Sequence, residues 1–232
     1  MTLQPTLVVS EVFGPTVQGE GPSLGRRAAF VRLGRCNLTC SWCDSAFTWD
    51  WGRYDPAVEL TERLVADVVA EVETMRVDRV VVTGGEPLLQ QRRLLPFLEA
   101  AAERGWAVEV ETNGTLAPTA DTTRLVAQFN VSPKLANSGV ATDAAIVPSA
   151  LAALVGSGKA VFKFVVAEPA DLDEVQALVD AHHLAPVWIM PEGVTAEAVL
   201  ATGRRLADEA IGRGWQLTTR LHVLLWGDER GR

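Results

Sequence analysis

Val80-Val81-Val82-Thr83-Gly84-Gly85-Glu86-Pro87 is a short β-branched run that ends in a glycine pair and a proline. An apolar run of this length, bounded by turn residues, reads as a strand buried on both faces, the kind found in parallel sheets. The pattern repeats downstream. Trp106 to Thr112 alternates and is rich in valine; Phe129-Asn130-Val131, Ala160 to Val166 and Pro186 to Met190 follow as further strands. Helical spacing lies between them. Leu60, Leu64, Val65, Val68, Val69, Val72 and Met75 fall on one helix face, with Thr61 as its N-cap. Asp171-Leu-Asp-Glu174, just after Pro169, reads as a capped helix start, and another helix is expected from about Thr195 to Ile211. Upstream, Leu7 to Phe13 and Ala28 to Gly34 read as two strands flanking a glycine-rich turn, and Arg220 to Trp226 reads as a last strand. Strand–helix alternation predicts an α/β fold of mostly parallel strands with crossover helices. A complete eightfold barrel takes about 250 residues. The 232 residues here therefore predict an incomplete (β/α) barrel, as one domain over residues 1–232.

Bulk composition narrows the function classes. A hydrophobic content of 48% fits a globular chain, and a net charge of −8 offers no overall positive field for nucleic acid. No apolar run reaches the roughly 18 to 20 residues that span a bilayer, and Met1 to Val9 carries no signal-peptide pattern. The expectation is a cytoplasmic protein with no membrane or nucleic-acid partner.

All three cysteines lie together as Cys36-x-x-x-Cys40-x-x-Cys43, among Asn37, Thr39, Ser41 and Asp44. A disulfide framework would spread them along the chain, and core filler does not cluster in this way. A zinc site usually takes four Cys or His ligands, and a distant histidine (His182, His183 or His222) could complete one. An iron–sulfur cube held by three thiolates leaves one iron open to bind and activate a ligand, and fits better. Polar segments recur where strands end: Arg35 to Ser45, Thr83 to Pro87, Thr112 to Gly114 and Ser132-Pro133-Lys134. Sites in parallel α/β folds form at those ends. The glycines of Thr83 to Pro87 would let backbone approach a ligand, and Glu86 could accept from an ammonium group.

With Trp42 as the aromatic before the third cysteine, Cys36 to Cys43 resembles the signature of the radical S-adenosylmethionine (SAM) superfamily, and Gly84-Gly85-Glu86-Pro87 resembles its GGEP motif. The segments Glu11-Val-Phe-Gly-Pro-Thr16-Val-Gln18-Gly-Glu20-Gly-Pro22, Phe30-Val-Arg32-Leu-Gly-Arg35-Cys36-Asn37-Leu38, Trp42-Cys43-Asp44-Ser45, Glu111-Thr-Asn-Gly114 and Ser132-Pro-Lys134 together resemble the 7-carboxy-7-deazaguanine synthase family. The resemblance implies a barrel of the radical SAM type that converts 6-carboxy-5,6,7,8-tetrahydropterin to 7-carboxy-7-deazaguanine and ammonia. It implies a 4Fe-4S cluster on Cys36, Cys40 and Cys43, and SAM held by Trp42, Cys43, Asp44, Gly85, Ser132, Pro133 and Lys134. Met190, Pro191 and Glu192 are further SAM candidates. Val17, Gln18, Gly19, Arg32 and Thr83 would contact the pterin, with Arg32 suited to its carboxylate. Magnesium would sit on Ser45, where the family usually has threonine. No side chain is assigned a catalytic role beyond the cluster and SAM. The resemblance also implies a flavodoxin or ferredoxin as electron donor, a homodimer, and regeneration of SAM in each cycle.

Two departures and two rivals stand beside this. Some family members close the pterin pocket with the carboxylate of a C-terminal proline, whereas the sequence here ends Trp226-Gly-Asp-Glu-Arg-Gly-Arg232. His222 could face the substrate or lie on an edge strand. One rival is a glycyl-radical-enzyme activase, which shares the three-cysteine signature. The other is a non-enzymatic Cys-metal module with zinc completed by a histidine.

Overall fold

Thr6–Val17 (β1) and Arg27–Leu33 (β2) pair antiparallel, and Thr61–Leu64 (β3) pairs antiparallel with the other edge of β1. The remaining strands are Arg79–Gly84 (β4), Ala107–Thr112 (β5), Gln128–Val131 (β6), Ala160–Val166 (β7), Val187–Pro191 (β8) and Gln216–Leu217 (β9). From β2 onward every pairing is parallel. The order is β3-β1-β2-β4-β5-β6-β7-β8-β9, so the sheet is open and its ends do not pair. This is a computed structural model that describes residues 4–227 and 229–232. Met1 to Leu3 of the N-terminal segment and Asp228 of the C-terminal stretch lie outside the described residues.

The helices are Pro56–Glu59 (α1), Val65–Thr74 (α2), Gln91–Glu103 (α3), Ala120–Leu125 (α4), Thr142–Ala145 (α5), Pro148–Gly156 (α6), Asp171–His182 (α7), Ala196–Gly212 (α8) and Leu221–Trp226 (α9). Strand alternation sorts the two faces of the sheet. Val80, Val82, Val108, Val110, Phe129, Val131, Phe162, Phe164 and Val166 are buried in one apolar cluster with Val68 and Val72 of α2, Phe97 of α3, Leu154 of α6 and Val175 of α7. Each such side chain contributes about 1.5–3 kcal/mol of transfer free energy. The intervening residues Glu109, Glu111, Asn130 and Lys163 point to the other face; Glu109, Asn130 and Lys163 are buried there and Glu111 is half-buried. Gln18, just beyond β1, reaches Glu111 of β5 at 3.0 Å. Adjacent strands lie about 4.8 Å apart. Two strands stand between β1 and β5 in the sheet, so the sheet must curl to bring these side chains together.

Two expectations are corrected. Thr61 is not a helix cap: Thr61–Leu64 is an edge strand, and the helix starts at Val65. Leu60 and Leu64 happen to match helical spacing, but pairing with β1 captures that stretch. Arg220 to Trp226 is a short helix, not a strand; the last strand is the two-residue β9 before it.

Candidate active site

The loop from Arg35 to Thr48 carries the three thiols out of the C-terminal end of β2. It is fixed by backbone bonds from Arg35 to the Thr48 carbonyl (2.7 Å) and from Ser41 to the Ser138 carbonyl (2.9 Å). Several N–H groups point at sulfur. The Leu38 amide donates to Cys36 Sγ at 3.4 Å and the Trp49 indole to Cys43 Sγ at 3.3 Å. Burial pushes the free Cys36 thiol up to about 11 and also raises Cys40. Positive charge or metal coordination would be needed to hold both as thiolates.

Next to this loop, β4 ends in Gly84 and Gly85. A Cβ on Gly85 would lie 2.0 Å from the Arg35 carbonyl oxygen, and one on Gly84 would lie 2.0 Å from that of Leu33. These glycines serve the approach of backbone to backbone, locking β4 against the cysteine loop. Glu86 does not face a ligand. It is fully buried and accepts from the Leu88 amide (2.9 Å), Thr112 Oγ1 (2.8 Å) and the Asn113 amide (2.7 Å). The expected role of Glu86 as an ammonium acceptor is therefore corrected: its oxygens are used to join β4 to the end of β5. Burial raises its pKa against the pull of these three bonds.

A cavity of about 490 Å³ opens at the strand ends. Cys36, Cys40, Cys43, Trp42, Asp44, Ser45, Gly85, Ser132 and Lys134 line it, as do Val17, Gln18, Gly19, Arg32 and Thr83. Met190 and Glu192 also reach it; Pro133 and Pro191 are not among its lining residues. Trp42 is positioned from two sides: its indole donates to Asn137 Oδ1 at 3.2 Å, and Lys134 Nζ sits 5.4 Å from its ring centre while bonded to Ser132 Oγ. Asn137 is in turn held by Asp171 at the start of α7. Arg32 lies between the rings of Phe13 (5.5 Å) and Phe47 (5.7 Å) and pairs with Glu11 at 2.9 Å. Arg230 also pairs with Glu11 and stacks 3.8 Å over Phe47, so the C-terminal stretch crosses the cavity mouth.

The cavity floor is a charge network that motif reading missed. Lys163 of β7 pairs with Glu20 and with Glu111 (2.9 Å). Glu20 also lies 3.4 Å from Arg220, which pairs with Asp44. Lys163 and Arg220 hold the Glu20 carboxyl well below its ordinary value against the opposing effect of burial, and burial pushes Glu111 up. His222 lines the cavity from α9. A Cβ on Gly19 would lie 2.1 Å from its Nδ1, so Gly19 is the residue that admits the imidazole. Burial lowers the His222 pKa. The available signal was a charge in an apolar strand: Lys163 stands alone in Ala160 to Val166, and Glu109 and Glu111 alternate with valines in β5.

The residues fit an iron–sulfur cluster with SAM. Three thiols emerge from one loop into a cavity that also holds carboxylates, an ammonium group and an indole face. N–H donors to sulfur are a recognised means of tuning such clusters. The zinc rival would need a histidine beside the thiols, and the histidine that lines the cavity is His222 of α9. His222 sits against Gly19 and Glu20.

Comparison with known proteins agrees. Residues 31–133 match the family model of the radical SAM superfamily. A 7-carboxy-7-deazaguanine synthase of Pyrobaculum aerophilum is 40% identical over 235 residues, covering 100% of both chains. One from Halobacterium salinarum is 34% identical, over 97% of this chain and 92% of the relative. The crystal structure of QueE from Escherichia coli has a TM-score of 0.72 at 24% identity, covering 94% of this chain and 95% of that one, which is a likeness of fold. The radical SAM match carries with it a 4Fe-4S cluster and SAM as cofactors. With two relatives above 30% identity along almost the whole length, and a cavity built around the three-cysteine loop, the chain belongs to the 7-carboxy-7-deazaguanine synthase family of radical SAM enzymes.

Proposed function

We propose that this protein converts 6-carboxy-5,6,7,8-tetrahydropterin to 7-carboxy-7-deazaguanine by a radical-mediated ring contraction that releases ammonia. The reaction is an elimination with no net change in oxidation level, which agrees with regeneration of SAM in each cycle. The observation that carries the reading is one cavity lined by the cysteine loop together with Gln18, Arg32, Thr83, Glu20 and Glu111. Family membership leaves no support for a glycyl-radical activase.

Cys36, Cys40 and Cys43 would hold the cluster, and Trp42, Cys43, Asp44, Gly85, Ser132, Pro133 and Lys134 would hold SAM. When bound and reduced, cluster and SAM supply the hydrogen-abstracting radical. The remaining work belongs to the chain. Trp42, fixed by Asn137 and Lys134, offers a flat face beside the thiols. Arg32 is held rigid between two aromatic rings and suits the substrate carboxylate, for which Glu11 would exchange. Gln18, Glu20 and Glu111 can match the donors of a pterin edge, with Val17, Gly19 and Thr83 closing the walls. Arg230, over Phe47 at the mouth, would help exclude water. Ser45 is proposed as a magnesium ligand; its Oγ lies 3.7 Å from Cys43 Sγ. A flavodoxin or ferredoxin as reductant, a homodimer, a single domain and a cytoplasmic location complete the reading. Among the described residues no helix is long and apolar enough to cross a membrane.

The test is anaerobic reconstitution with iron and sulfide, then SAM, reductant and 6-carboxytetrahydropterin, with product read by mass. The expected outcome is 7-carboxy-7-deazaguanine and far less than stoichiometric 5′-deoxyadenosine, with no product when Cys36, Cys40 and Cys43 are changed to Ala. SAM cleavage without this product would overturn the pterin assignment. Stoichiometric 5′-deoxyadenosine with product would overturn the regenerating cycle.

A further inference from the structure

Lys163 is unlike the other charges of the cavity. Its side chain is 4% exposed, it stands between Phe162 and Phe164 on β7, and its ammonium meets two carboxylates from separate parts of the chain. Glu20 comes from the turn after β1, and Glu111 from the end of β5. Gly21, at φ +65°, passes over the lysine stem, where a Cβ would come within 4.0 Å of Lys163 Cδ. The second oxygen of Glu111 accepts from Gln18 (3.0 Å) and Asn130 (2.9 Å). The lysine thus pins the pair of carboxylates from below while both remain on the cavity.

Ion pairs of this kind are weak devices for stability, because desolvation offsets most of the Coulomb gain. Their value lies in orientation. A 2-aminopyrimidinone ring presents a ring N–H and an amino N–H side by side, a fork that ionised carboxylates accept and protonated ones do not. Two carboxylates that share one cation need it to stay ionised together: burial and the Glu20 charge push Glu111 up, and the Lys163 ammonium opposes that rise. Resting on the function proposed above, we propose that Lys163 is the positioning residue that fixes Glu20 and Glu111 as paired ionised acceptors, and so sets the specificity of the site for a 2-aminopyrimidinone ring. The titratable groups facing this pair are Lys163 itself, Arg220 and His222. Arg220 pairs with Glu20 and with Asp44, and Lys163 is the cation bonded to both Glu20 and Glu111.

The test uses the reconstituted holoenzyme with SAM and two unreactive probes: 6-carboxypterin, and its analogue with oxygen in place of the 2-amino group. Affinities are read by calorimetry. The wild-type protein is expected to prefer the amino probe by on the order of a hundredfold, the worth of one hydrogen bond to a charged acceptor. Its preference should be flat between about pH 6 and 8. In Lys163→Met the preference should fall to within about threefold, and the remaining binding of the amino probe should weaken as pH falls, since protonation removes an acceptor. Lys163→Arg, which keeps the charge, should retain the flat profile. An unchanged preference and flat profile in both Lys163→Met and the more conservative Lys163→Gln would overturn the proposal. So would loss of the fold in both neutral variants, which would make Lys163 a stability element. A wild-type protein that binds neither probe would overturn the pterin reading itself, whereas one that binds both alike would overturn only the specificity argument.

Discussion

Glu86 shows how a motif residue can be misjudged when its chemistry is read apart from its burial. A carboxylate after a glycine pair invites a ligand, yet all its partners are protein groups: two backbone amides and one threonine hydroxyl. Replacement by glutamine would place an NH2 group against a donor, and one amide would be left unpaired. Such a buried mismatch costs about 1–3 kcal/mol. Glu86→Gln is therefore expected to lower the unfolding midpoint in urea, with the affinity of the surviving folded fraction for SAM unchanged. A fully stable variant with weakened SAM binding would return Glu86 to the ligand. The same scale explains Gly19, which motif reading gave to the pterin. Its missing side chain makes room for His222, from a helix some two hundred residues later in the chain. No local pattern announces that contact.

At the scale of elements, the strands that sequence predicts most firmly are those rich in valine and phenylalanine. β4, β5 and β7 all lie within a residue or two of expectation, because the face each turns to the helices leaves an apolar signature that needs no partner to be recognised. Failures came where the deciding contact was distant. Thr61–Leu64 became a strand through pairing with Thr6 to Val9. Leu221–Trp226 is a six-residue run, apolar apart from His222, of a length that periodicity cannot assign to strand or helix. The cysteine loop was legible because its chemistry is written in consecutive residues, while its support was not: Gly85 is required by the carbonyl of Arg35, fifty residues earlier. Gly85→Ala puts a methyl group against the peptide unit that joins Arg35 to Cys36, so a side-chain rotation cannot relieve it. The expected result is a chain with near-native far-UV circular dichroism that retains less than about half of the wild-type iron and sulfide after reconstitution. Full cluster loading would mean that the two loops can separate without cost to the site.

Across the whole molecule, the open barrel is held apolar on its helix side and ionic within. Glu20, Lys163, Glu111, Arg220 and Asp44 link the turn after β1, the middle strands and the segment before α9. This arrangement makes stability depend on pH in a direction that can be worked out. Glu20 has a folded-state pKa below the ordinary 4.5, so its contribution is complete above that value and is lost as pH falls towards the folded one. Glu86 and Glu111 are raised, so their contributions have the opposite sign: complete below about 4.5 and lost as pH rises through their folded values. The acid limb of the stability curve should therefore carry the mark of Glu20, blunted by the other two. Acid destroys iron–sulfur clusters, so the measurement belongs on the cluster-free chain, by urea unfolding from about pH 7 to 3. Glu20→Gln is expected to cost about 1–3 kcal/mol at pH 7, less than a fully orphaned charge would, because Lys163 keeps Glu111. Below pH 4.5 the gap between the variant and wild-type curves should begin to narrow, because the unfolded chain then takes up a proton on Glu20 while the folded chain still holds it ionised. A constant gap between the two curves down to pH 3 would mean that Glu20 acts through packing or hydrogen bonding alone, and that the charge network does not hold the turn after β1 to the barrel floor.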